Sequence, residues 1–376
     1  SFHPVTLPPL VGHEAARRQF AEAIQGNRLP QTILVTGPAG VGKQRLGLWM
    51  AQRLLCAAAR PLGGSAALQV EPCGECRECR LVLGLAHPDV HWMVPVPRPK
   101  AGEPDKQVDE VEEAIEGVLA ERRTKPLYGP PDGLAGHGMA TARLVGRRAA
   151  LTTVEGHGRV FLIGEAERLA VQEGQEEAAN ALLKLLEEPP AGTVFVLTAA
   201  EPSRLLPTIR SRAVTVRLGR LADEEVRTFL AARLEPAPAG QELDERVRRA
   251  EGSIGAALLD DAETAAKAYR DAGAFLEAVL AGPERRLMAA LSQGVFAARG
   301  AFTAMLDAMA DLLGEAAREA AGGKSRRPLP RGLGRRPLDA LLAAQTRVAA
   351  AREAAQGNVN PQLLAAVLGV ELAARL

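Results

Sequence analysis

The stretch that decides the fold of this chain is residues 32–44, which read Thr32-Ile33-Leu34-Val35-Thr36-Gly37-Pro38-Ala39-Gly40-Val41-Gly42-Lys43-Gln44. Its first five residues predict a buried strand, and the residues that follow the glycine turn, up to Leu55, predict a helix. This strand–loop–helix order is the setting in which the Gly-x-x-x-x-Gly-Lys signature binds phosphate. Backbone N–H groups of the loop wrap the anion, and the lysine neutralises it. The candidate phosphate-binding residues are Gly37, Gly40, Gly42 and Lys43.

Two positions of this predicted site depart from the pattern that magnesium requires. The residue after the lysine is normally Ser or Thr, whose hydroxyl holds Mg²⁺, and here it is Gln44. A second predicted strand, residues 159–163, is followed by Gly164, where an acidic residue that holds the same ion would stand. Glu165 could still orient water, but only if metal and nucleotide were bound. Unless the strand register is wrong by one residue, Mg²⁺-dependent hydrolysis is not expected, while binding of ATP, ADP or phosphate stays open.

The rest of the chain predicts an α/β domain followed by helices. A third apolar strand spans residues 193–198, and short apolar strands separated by helices predict a parallel sheet covered on both faces. Residues 97–138 are rich in Pro, Gly and charge, which indicates an insertion or long loop with a helix over 107–123. No strand is predicted after Arg217. We therefore predict an α/β domain over residues 1–218, a small helical domain over 219–275 and a helical domain over 276–376.

All four cysteines lie in one short segment, at Cys56, Cys73, Cys76 and Cys79. The last three form a C-x₂-C-x₂-C knuckle, in which Gly74 eases the turn. Four thiolates suit a closed, tetrahedral structural Zn²⁺ site. The alternative is that these cysteines are free or redox-active. Because cytoplasmic thiols stay reduced, metal ligation is favoured over disulfides, and we predict that the four cysteines bind zinc.

Composition excludes some classes of function. The 376 residues carry a net charge of +1 and only 3% aromatic residues, so neither global charge nor base stacking indicates a nucleic-acid binder. No apolar run approaches the roughly 18 residues of a membrane span, and the first residues lack the pattern of a signal peptide. We expect a cytoplasmic protein without membrane contact. The basic stretch 324–336 has six Lys or Arg residues and is either a solvated linker or a DNA or partner contact.

A predicted core helix and a group of arginines flank the third strand. Residues 176–188 carry one apolar face and stop at two prolines, and two glutamates, Glu187 and Glu188, lie at the helix end where they oppose the macrodipole. Such a placement hints at a partner contact. Three arginines, Arg204, Arg210 and Arg212, follow the third strand, at the sheet edge where such folds place ligands. They either form surface ion pairs or bind phosphate.

Several motifs, taken in order, resemble bacterial clamp-loader subunits of the AAA+ class, and most of all the delta-prime type of DNA polymerase III. Besides the phosphate loop, the cysteines and the helix that ends at Pro190, the motifs are Val11-Gly12-His13-Glu14, His87-Pro88-Asp89, Leu205-Leu206-Pro207-Thr208-Ile209-Arg210-Ser211-Arg212 and Asn358-Val359-Asn360-Pro361-Gln362-Leu363. The resemblance spans most of the chain and implies an AAA+ domain with a zinc module, a helical lid and an all-α collar. The insertion at 97–138 departs from the family core.

The resemblance also implies roles for single residues. In these loaders a Ser-Arg-Cys stretch donates an arginine finger to the ATP of a neighbouring subunit, and Ser211-Arg212-Ala213 is similar to it, with Ala for Cys. An arginine given in trans can be worth ~10³-fold or more in rate. A second sensing arginine in the family follows a Gly-Ser-x pattern, and Gly255 stands in its place after Gly252-Ser253-Ile254. The implied protein does not hydrolyse ATP and contributes Arg212 to catalysis in trans.

The resemblance names partners as well: gamma or tau and delta subunits in a hetero-pentamer joined through the collar, a sliding clamp, and primed DNA on which the clamp is loaded. Two alternatives stay open. The first is an ATP-hydrolysing gamma or tau-type subunit, which would need Gln44 and Glu165 to restore Mg²⁺ binding. The second is a stand-alone zinc-containing DNA-binding protein.

Overall fold

The computed structural model describes residues 7–59, 70–100, 102–127, 135–154, 158–170, 176–235, 237–259, 262–293, 299–325, 327–355 and 360–376. These residues form two compact units, one that extends to residue 259 and another that begins at residue 262. Part of the segment that joins the first two cysteines of the cluster and part of the 97–138 insertion lie outside the described residues, as do Asn358 and Val359 of the last motif.

A five-stranded parallel sheet forms the centre of the first unit, in the order β2-β5-β6-β1-β7. The strands of the first unit are β1 Thr32–Thr36, β2 Val90–Met93, β3 Val96–Pro97, β4 Ala135–Gly136, β5 Arg159–Ile163, β6 Thr193–Ala199 and β7 Val214–Arg217. The three central strands β1, β5 and β6 are buried along their whole length, which is why they read as unbroken apolar runs. Strands β3 and β4 pair separately and antiparallel.

Ten helices of the first unit's described residues cover this sheet or extend from it. They are α1 Glu14–Gln25, α2 Lys43–Leu55, α3 Arg77–Leu83, α4 Pro104–Thr124, α5 Met139–Ala149, α6 Glu176–Glu187, α7 Pro207–Arg210, α8 Asp223–Arg233, α9 Gly240–Ala250 and α10 Ile254–Leu259. The large core joins the sheet to side chains such as Leu46 and Met50 of α2 and Leu182 and Leu186 of α6. This packing confirms the predicted core face of α6.

The predicted strands agree closely with the structure; the two edge strands of the parallel sheet and the short β3–β4 pair were missed. Strands β1 and β5 have the predicted bounds, and β6 continues one residue further. Because β5 ends at Ile163, the register that places Gly164 at the strand end is the one predicted. Strands β2 and β7 are short, and β7 is largely exposed, so neither produces the unbroken apolar run that identified the others.

The 97–138 segment is more ordered than a long loop. It contains helix α4, which begins three residues before the predicted start because Pro104 suits the first turn of a helix. Val108, Val111, Ile115 and Leu119 of this helix are buried in the large core. The described part of the insertion is therefore folded into the domain, and the predicted helix is confirmed.

Helices α8, α9 and α10 share a small core of their own, built on Val226, Leu230 and Val247. They belong to the first unit by their contacts. The predicted limits of the small helical domain, 219–275, stay a prediction; residue 275 lies inside the next helix, Ala262–Ala281.

The second unit is helical throughout its described residues. Its helices are α11 Ala262–Ala281, α12 Pro283–Leu291, α13 Arg299–Ala320, α14 Leu338–Ala355 and α15 Pro361–Ala373. Phe275, Leu306, Leu313 and Leu341 lie at the centre of their shared core. Among the residues that the structure describes, no helix is long and apolar enough to cross a membrane.

Candidate phosphate loop, metal centre and arginine

The phosphate loop lies between β1 and α2, as predicted. Gly37, Gly40 and Gly42 have φ values of 149°, 73° and 101°, a region that favours glycine because L side chains are strained there. The backbone path of the loop thus requires glycine at these three positions, whatever the loop binds.

Lys43 turns back onto its own loop. Its ammonium donates hydrogen bonds to the carbonyl oxygens of Gly37, at 2.9 Å, and Pro38, at 2.6 Å. Burial lowers the pKa of Lys43, although the nearby carboxylates of Glu167 and Glu165 act in the opposite direction. Since an ammonium has three donors, two of them already serve the protein backbone.

The small helical region closes over the same loop. Ser253 Oγ donates to the carbonyl oxygen of Ala39 at 3.0 Å, and the Gly255 N–H donates to that of Gly40 at 2.9 Å. A Cβ atom at Gly255 would lie 2.6 Å from Gly40 Cα, so the two backbones can meet only because both residues are glycine. Gly255 is therefore a packing residue, a role that no local sequence pattern indicates.

The two departures from the magnesium pattern meet in space. Gln44 Oε1 accepts a hydrogen bond from Trp92 Nε1 at 2.9 Å, and the guanidinium of Arg122 lies over the Trp92 ring, 4.4 Å from its centroid. A Cβ atom at Gly164 would overlap the carboxamide of Gln44. The Gln44 side chain thus fills the space into which a metal-binding residue at Gly164 would extend. Trp92 and Arg122 had no local sequence signal, because they reach the site from a missed strand and from the insertion.

Both acidic residues after β5 are engaged by the protein. The Glu165 carboxylate forms an ion pair with Arg168 Nε at 2.6 Å, and its backbone N–H donates to Thr198 Oγ1 at 3.0 Å. Glu167 accepts a hydrogen bond from the Ala200 N–H at 2.9 Å, and burial raises the pKa of Glu167. One carboxylate oxygen of Glu165 is therefore committed to an ion pair within the protein.

The four cysteines come together, as predicted. Their Sγ atoms all lie within 4.8 Å of one another, and four sulfurs about 2.3 Å from a tetrahedral ion would lie roughly 3.8 Å apart. Cys56 caps the end of α2, Cys76 caps the start of α3, and Cys73 and Cys79 complete the cluster. The donor set and its spacing fit a structural zinc ion.

Backbone N–H groups support the sulfurs of this cluster. The Cys73 N–H donates to Cys56 Sγ at 3.3 Å, the Cys76 N–H to Cys73 Sγ at 3.3 Å, and the Cys79 N–H to Cys76 Sγ at 3.4 Å. Such bonds from Cys76 and Glu75 lower the pKa of Cys73 to about 7, whereas burial raises the pKa of Cys56 and of Cys79. Donors aimed at sulfur favour the thiolate, which is the form that binds metal.

Arg212 is not part of the phosphate loop; it lies on the exposed turn that follows α7. Its guanidinium forms an ion pair with Glu187 and donates to the Thr208 carbonyl oxygen at 2.8 Å, and the side chain remains 34% exposed. The glutamate at the end of α6 thus has an internal partner. Of the other two arginines, Arg204 pairs with Glu201 at 3.6 Å, and Arg210 is exposed at the end of α7.

Comparisons with known proteins agree with the sequence resemblance. A family model described as DNA polymerase III, delta subunit, matches residues 12–222. DNA polymerase III subunit delta' of Pseudomonas aeruginosa is 36% identical over 181 residues, which are 48% of this chain and 40% of that protein. The Escherichia coli subunit delta' is 29% identical over 240 residues, 64% of this chain and 57% of the relative. Subunit gamma/tau of Mycobacterium tuberculosis is 27% identical over 230 residues, 61% of this chain and 31% of the relative.

The matches thus span about half the length of these delta' relatives. The family model, however, covers more than half of this chain, and it includes the phosphate loop, the cysteines and Arg212. The chain therefore belongs to the DNA polymerase III delta subunit family, and its resemblance to delta-prime clamp-loader subunits is confirmed.

Proposed function

We propose that this chain is a delta-prime-type subunit of a DNA polymerase III clamp loader, that it does not hydrolyse ATP, and that it supplies Arg212 to ATP bound by a neighbouring subunit. The observation that carries the proposal is the overlap of Gln44 with the space in front of Gly164. Neither position carries the residue expected to hold Mg²⁺. The Gln44 side chain occupies the space that a side chain at Gly164 would fill.

The surroundings of the loop support the same proposal. Lys43, Ser253 and Gly255 donate to four successive carbonyl groups of residues 37–40, so the loop is held closed by the protein itself. A nucleotide's phosphates would have to compete with these bonds. The closed loop serves best as the docking surface for helices α8–α10, with nucleotide binding weak at most.

Arg212 suits a role toward another subunit's ligand. It is exposed, and its partner Glu187 is exposed as well. Exposed ion pairs contribute roughly 0–1 kcal/mol, so exchanging Glu187 for a phosphate costs little. A guanidinium binds phosphate oxygens through two parallel hydrogen bonds, which favours a γ-phosphate as the new partner.

The zinc that we propose for the cysteine cluster has a structural role. Cys56, Cys73, Cys76 and Cys79 would hold the ion and fill its tetrahedral sites, which leaves no position for substrate. The ion would cross-link the end of α2 to the start of α3.

The helical second unit is proposed as the collar that joins gamma or tau and delta subunits in a ring around primed DNA, where the complex opens the sliding clamp. Apolar side chains are exposed on two of its helices that pack together. They are Leu287, Met288 and Leu291 of α12 and Leu363, Val367 and Val370 of α15, each at least half exposed. An exposed apolar surface of this kind is typical of a protein–protein interface.

The experiment that tests the proposal is a reconstituted clamp loader with Arg212→Ala in this chain. We expect hydrolysis at one ATP site to slow by ~10³-fold, because an arginine supplied in trans raises the hydrolysis rate by about that factor. In single-turnover measurements, the fast phase should lose the part of its amplitude that comes from that site. Arg210→Ala changes an exposed arginine at the end of α7, two residues before Arg212; it is the matched control and should leave the fast phase intact.

An Arg212→Ala complex with unchanged hydrolysis would reject the trans role. Mg²⁺-dependent turnover by the isolated chain would instead favour the gamma or tau-type alternative. Failure of the chain to co-assemble with such subunits in gel filtration would favour the stand-alone DNA-binding protein.

A further inference from the structure

The basic stretch of the second unit, residues 324–336, is built into the fold; we call it the basic loop. Leu333 is fully buried in the helical core, and the backbone N–H of Arg331 donates to Glu277 of α11 at 2.9 Å. The guanidinium of Arg327 lies over the ring of Tyr269, 4.1 Å from its centroid. Prolines at 328 and 330 stiffen the path between these contacts. The loop is therefore pinned to α11 at several points.

Four cations of this loop have no ionic partner among the residues that the structure describes. Among the described residues, Lys324, Arg331, Arg335 and Arg336 form no ion pair, and the whole stretch 324–336 contains no acidic residue. Glu277 accepts from the backbone of Arg331 and leaves its guanidinium free. Lys324, Arg331 and Arg335 are exposed, and Arg336 is half-buried.

Three other arginines of the same unit pair with carboxylates. Arg318 pairs with Glu315, Arg347 with Glu371, and Arg352 with Asp307. What distinguishes the basic loop is the concentration of its cations: four without an ion pair among the described residues lie within thirteen positions of a pinned segment.

We propose that the basic loop binds the phosphate backbone of a nucleic acid. Guanidinium groups recognise phosphate through paired hydrogen bonds, and a preformed loop loses little conformational freedom when it binds. The loop has no aromatic residue on which bases could stack, so the expected contacts are with the backbone and tolerate any sequence. The basic loop belongs to the second unit, whereas Arg212 and the phosphate loop belong to the first, and its proposed binding does not depend on the function proposed for them.

The proposal is tested by the salt dependence of binding. The full chain is titrated against fluorescein-labelled single-stranded and duplex DNA of about 20 nucleotides, with fluorescence anisotropy read between about 50 and 200 mM salt. Each phosphate contact contributes about −0.9 to the slope of log affinity against log salt for duplex, and about −0.7 for single strands. The two titrations, with single-stranded and with duplex DNA, therefore show which form the loop prefers.

The test variant is Arg331→Gln with Arg335→Gln, which removes two exposed cations and keeps the backbone contacts that pin the loop. We expect the duplex slope to become shallower by roughly 1.8 and the affinity at about 0.1 M salt to fall roughly 60-fold. The matched control is Arg285→Gln with Arg375→Gln, which removes the same charge from exposed positions outside the loop. The control should bind as the unchanged chain does.

Two results would overturn the proposal. One is an unchanged chain that binds neither DNA at about 50 mM salt. The other is a control variant that loses as much affinity as the test variant, which would assign binding to diffuse charge. Equal circular dichroism spectra and unfolding temperatures in both variants ensure that the comparison reports binding rather than folding.

Discussion

At the scale of single residues, the meaning of a substitution depends on what lies opposite it. Gln44 looks in isolation like a missing hydroxyl, and Gly164 like a missing carboxylate. Together they are complementary, because the carboxamide of one fills the space that the other leaves. Trp92 holds that carboxamide in place through its indole N–H. Restoring an acidic residue at Gly164 alone would therefore create a steric conflict with Gln44 before it could bind an ion.

This reasoning predicts the effect of Gly164→Ala on stability. The added Cβ must displace the Gln44 carboxamide and break its bond to Trp92, so the free energy of unfolding should fall by about 1–3 kcal/mol. In a Gln44→Ala background the same change should cost less, with a coupling energy above about 0.5 kcal/mol, measured by denaturant unfolding.

Gly146→Ala is the matched control for that cycle. Gly146 lies in α5, and a Cβ there would meet no atom within 4 Å. Since alanine is favoured over glycine in a helix by up to about 1 kcal/mol, the control should be neutral or stabilising. Additive energies for Gly164 and Gln44 would contradict the spatial coupling.

At the scale of elements, the ends of helices carry the candidate sites. Helix α2 begins at the phosphate loop and ends at Cys56, so one element joins the anion site to the cysteine cluster. Helix α6 ends at Glu187, which is stabilised by Arg212 although it opposes the helix dipole. Within the chain, the partner of that glutamate is therefore Arg212.

The cysteine cluster gives a prediction at this scale. Metal analysis should find one Zn²⁺ per chain, and removal of the ion by a chelator should lower the unfolding temperature. Where free zinc stands at about 1,000 times its Kd, binding stabilises the fold by about 4 kcal/mol. Cys76→Ser should be less stable than the unchanged chain and insensitive to the chelator, because the ligand set is already incomplete.

A chelator that leaves the unfolding temperature of the unchanged chain where it was would contradict a structural zinc. So would a folded, metal-free protein with four thiols that react freely. Either result would favour the alternative of free or redox-active cysteines.

At the scale of the whole molecule, the two units present different surfaces. The first unit buries the three central strands of its sheet and closes its phosphate loop with its own residues. The second unit leaves apolar side chains of α12 and α15 exposed and carries the basic loop. These features agree with the proposed role as a subunit of an assembly.

The exposed apolar surface predicts the effect of Val367→Glu on assembly. Val367 is 50% exposed on α15, so a carboxylate there should not disturb the folded chain but should be buried unpaired in an interface. We expect co-elution with gamma or tau-type subunits in gel filtration to weaken by at least tenfold in affinity, which corresponds to about 1.4 kcal/mol.

Ala349→Glu, at an exposed position of α14, is the control and should assemble normally. Equal loss of assembly in both variants would indicate a general charge effect. Normal assembly of the Val367 variant would remove this face from the proposed interface.

The sequence by itself determined the parts of this protein that rest on local patterns. The buried strands, the glycine turn and the cysteine spacing are patterns among residues that lie close together in the sequence. All of them are found where they were predicted. Only the tertiary structure decided what these parts touch: Gln44 against Gly164, Gly255 against Gly40, and Glu187 against Arg212. The physical reason is distance along the chain, because each of these pairs joins residues brought together only when the sheet and its helices pack, and no local periodicity records such a contact.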